Sequence, residues 1–248
     1  MRIILIVVII IVGCFLKALE KIEINFFNDP EFDFFDFDLV KESITKMEQD
    51  SVMQVNIMTG KILAEKESDI FTLAFLNISG CQIACPTDYP FRIKNQGMKF
   101  SLLASNISCD TLKIDDNIIV GKDTLKIGIF SIYSPDFAVK NDLAAGVKFN
   151  YDVFNTAYRQ AKILSIKTDY VIMLSNLSRD IDEDIVSSLP IDAVLSFDYL
   201  DREEKLFRNG RTKFYSCSGR KGRFGKLIIT KQGDMITEQW QQLPIYPE

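Results

Sequence analysis

Histidine is absent from all 248 residues of the chain. Its absence removes the commonest general base near neutral pH and the commonest ligand of transition metals. A basic excess is missing too, because 29 Lys and Arg face 34 Asp and Glu, which leaves a net charge of −5. A nucleic-acid-binding domain would carry a basic surface. We therefore expect no nucleic-acid partner and no histidine-based chemistry.

One long apolar run opens the chain: Ile3–Val12 follows Arg2 and has ten consecutive apolar residues. That length is typical of a signal peptide and is short of the ~20 residues that cross a bilayer. Ile11–Cys14 resembles a bacterial lipobox, in which Cys14 is acylated and becomes the first mature residue. Cleavage near Ala18 and an uncleaved anchor are the alternatives. We expect an exported protein, either in the bacterial periplasm or held at the membrane as a lipoprotein.

Cysteines are few after the leader: Cys81, Cys85, Cys109 and Cys217. An even number in an exported protein allows two disulfides with three pairings, or the four side chains are small buried hydrophobes. The C-x3-C spacing of Cys81 and Cys85 is loose for zinc, and no histidine completes such a site. A redox role for this pair lacks the C-x-x-C geometry that lowers a thiol pKa.

The unbroken apolar run Tyr170–Leu174 is typical of a strand buried on both faces at the centre of a parallel sheet. Ser175 and Asn176 follow it, at the edge where open α/β sheets bind ligands. The pattern predicts further strands at Lys21–Phe27, Val52–Met58, Gly80–Cys85, Phe100–Ala104, Thr111–Ile114, Asn117–Val120, Leu125–Ile132, Ala193–Leu195, Phe214–Cys217 and Leu227–Thr230. Helices are expected at Leu39–Gln49, Glu67–Leu76, Tyr151–Lys167 and Arg179–Leu189.

Three local features add detail to this order. Asp115 and Asp116 predict the turn of a hairpin, and the last two strands are expected to pair across a basic, glycine-rich turn. The acidic start of the helix at Arg179 suits the positive end of a helix dipole, a structural role. An apolar stripe on the helix Tyr151–Lys167 predicts core packing; its members are Phe154, Ala157, Tyr158, Ala161 and Leu164.

A series of segments then resembles one family in order and spacing. The segments are Leu102–Ile107, Lys126–Ile132, Gly146–Phe149, Val171–Leu177, Ile191–Leu195 and Ser218–Leu227. Together they resemble the N-terminal, metal-binding domain of the exported 5′-nucleotidases, a branch of the calcineurin-like metallophosphoesterases. The resemblance implies an α/β fold, a four-layer αββα sandwich of two mixed β-sheets flanked by helices. It also implies a signal peptide over residues 1–19, one domain over residues 20–248, and no C-terminal nucleotide-specificity domain.

In that family, five short motifs hold two metal ions that activate a water and clamp the phosphate. Here N-D-x-H becomes Asn28–Glu31, G-D becomes Gly60–Lys61, and G-N-H-E becomes Cys85–Asp88. L-S-H becomes Leu174–Asn176, and G-G-H-x-H becomes Ser196–Leu200. The matching site positions are Asp29, Glu31, Lys61, Pro86, Thr87, Asn176, Asp198 and Leu200. Of the ligand and catalytic residues, only Asp29 is unchanged.

These replacements predict a vestigial site with no catalytic residues and no cofactor. Lys61 places a fixed positive charge where a bridging aspartate would bind dications, and like charges repel there. The alternative is a divergent metal-dependent hydrolase with a divalent cation bound weakly by Asp29, Glu31 and Asp198. The expected protein is a catalytically inactive binding or assembly component of the cell envelope, whose partner is an unidentified envelope protein or small ligand.

A basic turn near the end of the chain contains Arg220, Lys221 and Arg223. It can bind an anion such as phosphate or lie on anionic lipid headgroups. It is not a P-loop, because neither G-K-S/T nor a following helix is present. The resemblance favours the simpler interpretation, in which the turn only closes a hairpin.

Overall fold

Two β-sheets stacked face to face form the centre of the protein, as seen in a computed structural model. The structure describes residues 19–28, 30, 41–42, 52–62, 69–87, 97–122, 124–140, 143, 146–197, 207–217 and 223–245. The strands are β1 (Leu19–Asn28), β2 (Met53–Gly60), β3 (Ile83–Pro86), β4 (Ser101–Leu102), β5 (Ile107–Cys109), β6 (Asn117–Lys122), β7 (Leu125–Ile132), β8 (Val147–Phe149), β9 (Tyr170–Ser175), β10 (Ala193–Ser196), β11 (Phe207–Asn209), β12 (Thr212–Ser216), β13 (Arg223–Gln232) and β14 (Met235–Pro244). The helices are α1 (Asp69–Ile78), α2 (Pro135–Lys140), α3 (Val153–Lys167) and α4 (Arg179–Val186).

Both sheets are mixed. The first has the order β14-β13-β1-β2-β3-β4, with β1 to β4 parallel and β13 and β14 added as antiparallel strands. The second has the order β11-β12-β10-β9-β7-β6, in which β12, β10, β9 and β7 are parallel. A separate two-stranded pair joins β5 to β8. Each sheet therefore has a run of parallel strands whose carboxyl ends share one edge.

Strand β9 illustrates how the layers form. Alternate residues of a strand point to opposite faces of the sheet. Tyr170, Ile172 and Leu174 belong to the core between the sheets, whereas Val171 and Met173 pack with α3 and α4. The unbroken apolar run Tyr170–Leu174 of β9 follows from this burial on both faces. With helices outside the sheets, the architecture is the αββα sandwich that the sequence predicts.

Trp240 connects the two sheets near one side of the core. Its ring stacks on Tyr215 of β12, with centroids 4.9 Å apart. On its other side it lies against Gly225 of β13, where an added Cβ would stand 2.0 Å from the indole. The glycine is thus required for space: a side chain there would collide with a ring that holds β14 against the second sheet.

Two predicted hairpins are wrong. Residues 111–114 form no strand, and Asp115 makes only an isolated bridge to Leu103, so the hairpin is β6–β7 instead. The strands at 214 and 227 do not pair either, because β12 lies in the second sheet and β13 in the first. The basic segment between them therefore crosses from one sheet to the other. β13 instead pairs with β1 on one side and with β14 on the other, and the predicted strands did not include β14.

The stripe predicted for α3 is correct for Ala157, Ala161 and Leu164 but wrong for Phe154 and Tyr158, which are half-exposed. The buried face of α3 instead includes Val153. On the exposed side, the Lys162 ammonium lies 5.7 Å from the centroid of the Tyr158 ring. Four short elements have no counterpart among the predicted helices and strands: α2, β5, β8 and β11. Only Lys41 and Glu42 of the predicted helix Leu39–Gln49 are described, and both are helical.

The four cysteines that the structure describes form no disulfide. Cys81, Cys85 and Cys217 are buried, and Cys109 is half-buried. The packing alternative is therefore confirmed for three of them, and the two-disulfide alternative is wrong. Within the described part of the chain, no helix is long and apolar enough to cross a membrane. The apolar run Ile3–Val12 and Cys14 lie outside the described residues.

We predict that Gly225→Ala lowers the free energy of unfolding by about 1–3 kcal/mol, since overpacking forces the indole of Trp240 to move. Urea denaturation with an unchanged m-value measures this. In a Trp240→Leu background the same glycine change should cost much less, because the colliding ring is gone. An equal cost in both backgrounds would contradict the packing explanation.

Candidate functional site

The carboxyl ends of the parallel strands from both sheets meet at one edge of the molecule. Asn28 ends β1, and its carboxamide donates to the carbonyl of Cys217, just after β12 in the other sheet, at 3.4 Å. Thr59, near the end of β2, donates to the Asn28 carboxamide oxygen at 3.2 Å. This carboxyl edge is where parallel α/β sheets place their ligand sites, and the predicted vestigial site belongs to it.

A chain of hydrogen bonds links the described site positions across this edge. The Thr87 amide donates to the carbonyl of Gly60, next to Lys61, at 2.9 Å. The Tyr133 hydroxyl donates to the carbonyl of Pro86 at 3.2 Å. The neighbouring Ser134 hydroxyl donates to the Asn176 carboxamide oxygen at 3.3 Å. These hydrogen bonds connect Gly60, Pro86, Thr87 and Asn176 at the carboxyl edge, and Lys61 directly follows Gly60.

An aromatic cluster, defined here as Tyr133, Phe137 and Phe197, lies behind these bonds. The Tyr133 ring is tilted against Phe137, with centroids 4.8 Å apart, and meets Phe197 edge-on at 5.6 Å. Tyr133 is fully buried, and the two phenylalanines are nearly so. Tyr133 directly follows β7, Phe137 lies in α2 and Phe197 directly follows β10. The cluster therefore joins three elements at the carboxyl edge.

Asn106 holds the backbone of Tyr133 in place. Its carboxamide oxygen accepts from the Tyr133 amide at 2.9 Å, and its NH₂ donates to the Tyr133 carbonyl at 2.8 Å. Both bonds are buried. Since a buried amide that pairs on both sides fixes the position of its partner, Asn106 positions the ring that fills the edge.

The thiols near this edge are poorly suited to redox chemistry. Burial raises the pKa of Cys85 to about 12 and also raises the pKa of Cys81. A thiolate is the reactive form of cysteine, so these raised pKa values keep both side chains as inert thiols. This supports the interpretation of the pair as core residues.

The described site positions do not fit a two-metal centre. Pro86 has no donor atom in its side chain, Lys61 is cationic, and Thr87 and Asn176 are neutral. Among the residues that the structure describes, no three His, Cys, Asp or Glu side chains lie together as metal ligands do. Asp29, Glu31, Asp198 and Leu200 lie outside the described residues, so the weak-cation prediction stays a prediction. The same holds for Arg220 and Lys221, while Arg223 begins β13.

The sequence analysis missed the aromatic cluster. Tyr133 and Phe197 each follow a buried strand directly, and an apolar residue at that position is the one signal that could have marked them. Asn106 lies in the segment Leu102–Ile107 that resembles the family. Its hydrogen bonds to Tyr133 join residues 27 positions apart, so the sequence alone does not reveal them.

Solved structures with this architecture are hydrolases in several cases. NAD nucleotidase from Haemophilus influenzae matches with a TM-score of 0.66 and 16% identity, over 92% of this chain and 56% of that one. This chain has the calcineurin-like phosphoesterase fold. A protein described as a 5′-nucleotidase from Staphylococcus aureus also matches this chain, with a TM-score of 0.68 and 10% identity. The match covers 93% of this chain and 55% of the nucleotidase.

A third structural neighbour, GAP50, is named as the anchor in the inner membrane complex of Plasmodium. It matches with a TM-score of 0.50 and 10% identity, over 94% of this chain and 90% of that one. The sequence matches no protein-family model and no curated protein. The chain spans a little over half the length of the two nucleotidases. At these identities the likeness shows the fold and leaves the activity open.

We predict that Tyr133→Phe lowers the free energy of unfolding by about 1 kcal/mol, because the Pro86 carbonyl loses a buried donor. Tyr133→Ala should cost about 3–5 kcal/mol, since a large cavity opens in the cluster. Urea denaturation measures both. The matched control is Tyr158→Phe on the exposed side of α3, which should change stability by less than about 0.5 kcal/mol. Equal effects of the two Tyr→Phe changes would contradict a structural role for the Tyr133 hydroxyl.

Proposed function

We propose that this protein is a non-catalytic calcineurin-like protein that acts as a binding or assembly component of the cell envelope. The observation that carries the proposal is the carboxyl edge itself. Its described family positions offer no metal-binding carboxylate or imidazole, and the aromatic cluster fills the space behind them. The expected partner is an envelope protein or a small ligand.

Lys61 supports this proposal through charge. A two-metal site stabilises negative charge on a phosphate and a bridging hydroxide. An ammonium group at the bridging position repels a dication, and the repulsion strengthens as the site loses water. Lys61 follows directly after Gly60, whose φ of 74° sets the turn that leaves β2. The backbone of the motif is thus retained while its charge is reversed.

The aromatic cluster supports it through solvation. Phosphoester hydrolysis needs a polar space in which charged groups are bound by metals or hydrogen-bond donors. Tyr133, Phe137 and Phe197 instead bury apolar surface between the strand ends, where an unpaired charge is costly. The hydroxyl of Tyr133 already donates a hydrogen bond to the carbonyl of Pro86. This arrangement stabilises the two sheets against each other and suits a surface for binding more than a site for catalysis.

The anchoring role in the printed name of GAP50 indicates that the fold has uses besides hydrolysis. In this chain, the apolar N-terminal leader favours a location at a membrane. We propose that it is exported and that the N-terminal segment, through acylated Cys14 or an uncleaved apolar run, keeps it at a membrane. The alternative function is a divergent metal-dependent phosphoesterase, which the carboxylates Asp29 and Asp198 favour because they directly follow Asn28 and Phe197 of the edge.

We predict that the purified full-length chain binds no stoichiometric Mn²⁺, Mg²⁺, Zn²⁺ or Ca²⁺ and does not hydrolyse a generic phosphomonoester. Metal analysis and phosphate release measure this directly. Melting temperature gives an independent check, because a metal at a hundred times its Kd stabilises the folded state by about 2.7 kcal/mol.

The control for this experiment is Asp29→Ala, which removes the one unchanged ligand position. Stoichiometric metal together with turnover that this variant abolishes would establish the divergent hydrolase and overturn the non-catalytic proposal. Turnover that Asp29→Ala leaves intact would point to a contaminating phosphatase and leave the proposal standing.

A further inference from the structure

The amino ends of the strands from both sheets meet at the opposite edge, called here the amino edge. Leu19 begins β1 there and pairs with Gln232 at the end of β13. Next to it, Lys231 forms an ion pair at 2.6 Å with Asp169, which precedes β9 of the second sheet. The chain therefore enters the folded domain at the amino edge.

Three large apolar side chains lie exposed at this edge. Leu19 is 65% exposed, Met235 60% and Ile166 85%. Leu19 and Met235 both pair with Gln232 from opposite sides, and Ile166 is in the last turn of α3, which leads to Asp169. Singly exposed apolar residues are ordinary on a surface, but all three lie at the end of the domain where the apolar leader joins β1.

Charge at the amino edge differs from charge on the whole chain. The lysines there, among the described residues, are Lys21, Lys122, Lys126, Lys167 and Lys231. Among the same described residues, the acids are Glu20, Asp169 and Asp234, and Asp192 pairs with Arg211 at 3.5 Å. Lys21 is held by the buried Glu23 at 2.5 Å, whereas Lys122, Lys126 and Lys167 are exposed and available to headgroups. Asp169 is occupied by Lys231 and by the Lys126 amide at 2.8 Å. Because the chain carries −5 in total, an anionic surface repels most of the protein and attracts this edge.

The length of the connection fixes the orientation. Cys14 lies five residues before Leu19 and Val12 lies seven before it, so an extended linker spans about 17 or 24 Å. β1 itself is about 30 Å long at 3.3 Å per residue. A domain held by either linker cannot bring its carboxyl edge to the bilayer, because Leu19 would then have to stand farther from the membrane than the linker reaches.

We propose that the amino edge is a membrane-docking surface for anionic lipid headgroups. Its lysines contact the headgroups, and Leu19, Ile166 and Met235 insert at the headgroup boundary. The carboxyl edge then faces away from the bilayer, where a partner can reach it. This inference rests on the membrane attachment proposed above and not on the loss of catalysis.

The test places a fluorophore at one edge or the other of the full-length chain. Ile166→Cys marks the amino edge, and Val139→Cys in α2, which is 79% exposed, marks the carboxyl edge as a matched control. Both variants carry Cys109→Ser to remove the half-buried native thiol. The Cys109→Ser protein without an introduced cysteine gives the background labelling. Each protein is reconstituted into phosphatidylcholine vesicles with one-quarter phosphatidylglycerol and a headgroup-spin-labelled lipid.

We expect the label at position 166 to be quenched strongly and the label at position 139 to be quenched little. Equal quenching at both positions, or stronger quenching at 139, would overturn the orientation. Hydrolase activity is measured separately on the same samples, so failure of this inference and failure of the non-catalytic proposal are distinguishable.

Charge variants then separate headgroup binding from simple tethering. Each lysine near an anionic surface raises the partition coefficient roughly five-fold, so three contribute about a hundred-fold. Lys122→Gln, Lys126→Gln and Lys167→Gln together should remove most of the quenching at position 166, as should pure phosphatidylcholine. The control pair is Lys113→Gln with Lys140→Gln, which should leave quenching unchanged. Undiminished quenching in the triple variant would mean that the linker alone holds the edge, and anionic-lipid docking would be wrong.

Discussion

The hydrogen bond from Tyr133 to the Pro86 carbonyl joins the carboxyl edges of the two sheets from a fully buried position. Around it, Asn106 fixes the tyrosine backbone while Phe137 and Phe197 pack on its ring. A sandwich of two sheets must close this edge in some way, because parallel strands end there together. Packing an aromatic ring there stabilises the sandwich by burying apolar surface between the strand ends of the two sheets.

Much of the fold could be predicted because several strands have a strong local signature. The run Tyr170–Leu174 is buried on both faces, and such burial requires an unbroken apolar sequence. Strand partners have no such local signature. Phe214 and Leu227 are close in sequence and yet belong to different sheets, and β14 alternates half-buried residues with exposed glutamines that resemble a loop. Which strands pair depends on long-range contacts such as Trp240 on Gly225, which the sequence does not display.

The neighbourhood of the candidate site could be proposed from the sequence, but its packing could not. Motif spacing marked Lys61, Pro86, Thr87 and Asn176, and hydrogen bonds connect Gly60, Pro86, Thr87 and Asn176 at the carboxyl edge. The aromatic cluster escaped because Tyr133, Phe137 and Phe197 are scattered along the chain and meet only in the folded state. Similarly, Phe154 and Tyr158 fit a helical stripe, but the buried face of α3 is rotated from them and includes Val153, Gln160 and Leu164. A period of 3.6 defines faces of a helix and does not say which of two adjacent faces is covered.

The polarity of parallel sheets gives this molecule two chemically different ends. Every parallel strand starts at the amino edge and finishes at the carboxyl edge, so a membrane segment attached before β1 necessarily approaches the amino edge. The site that the family motifs mark then lies about 30 Å away, at the far end of β1. In a hydrolase, that distance would keep the site open to soluble substrate. In the non-catalytic membrane-attached protein proposed above, the same geometry would present the carboxyl edge to water at a fixed height above the lipid, where a binding partner could reach it.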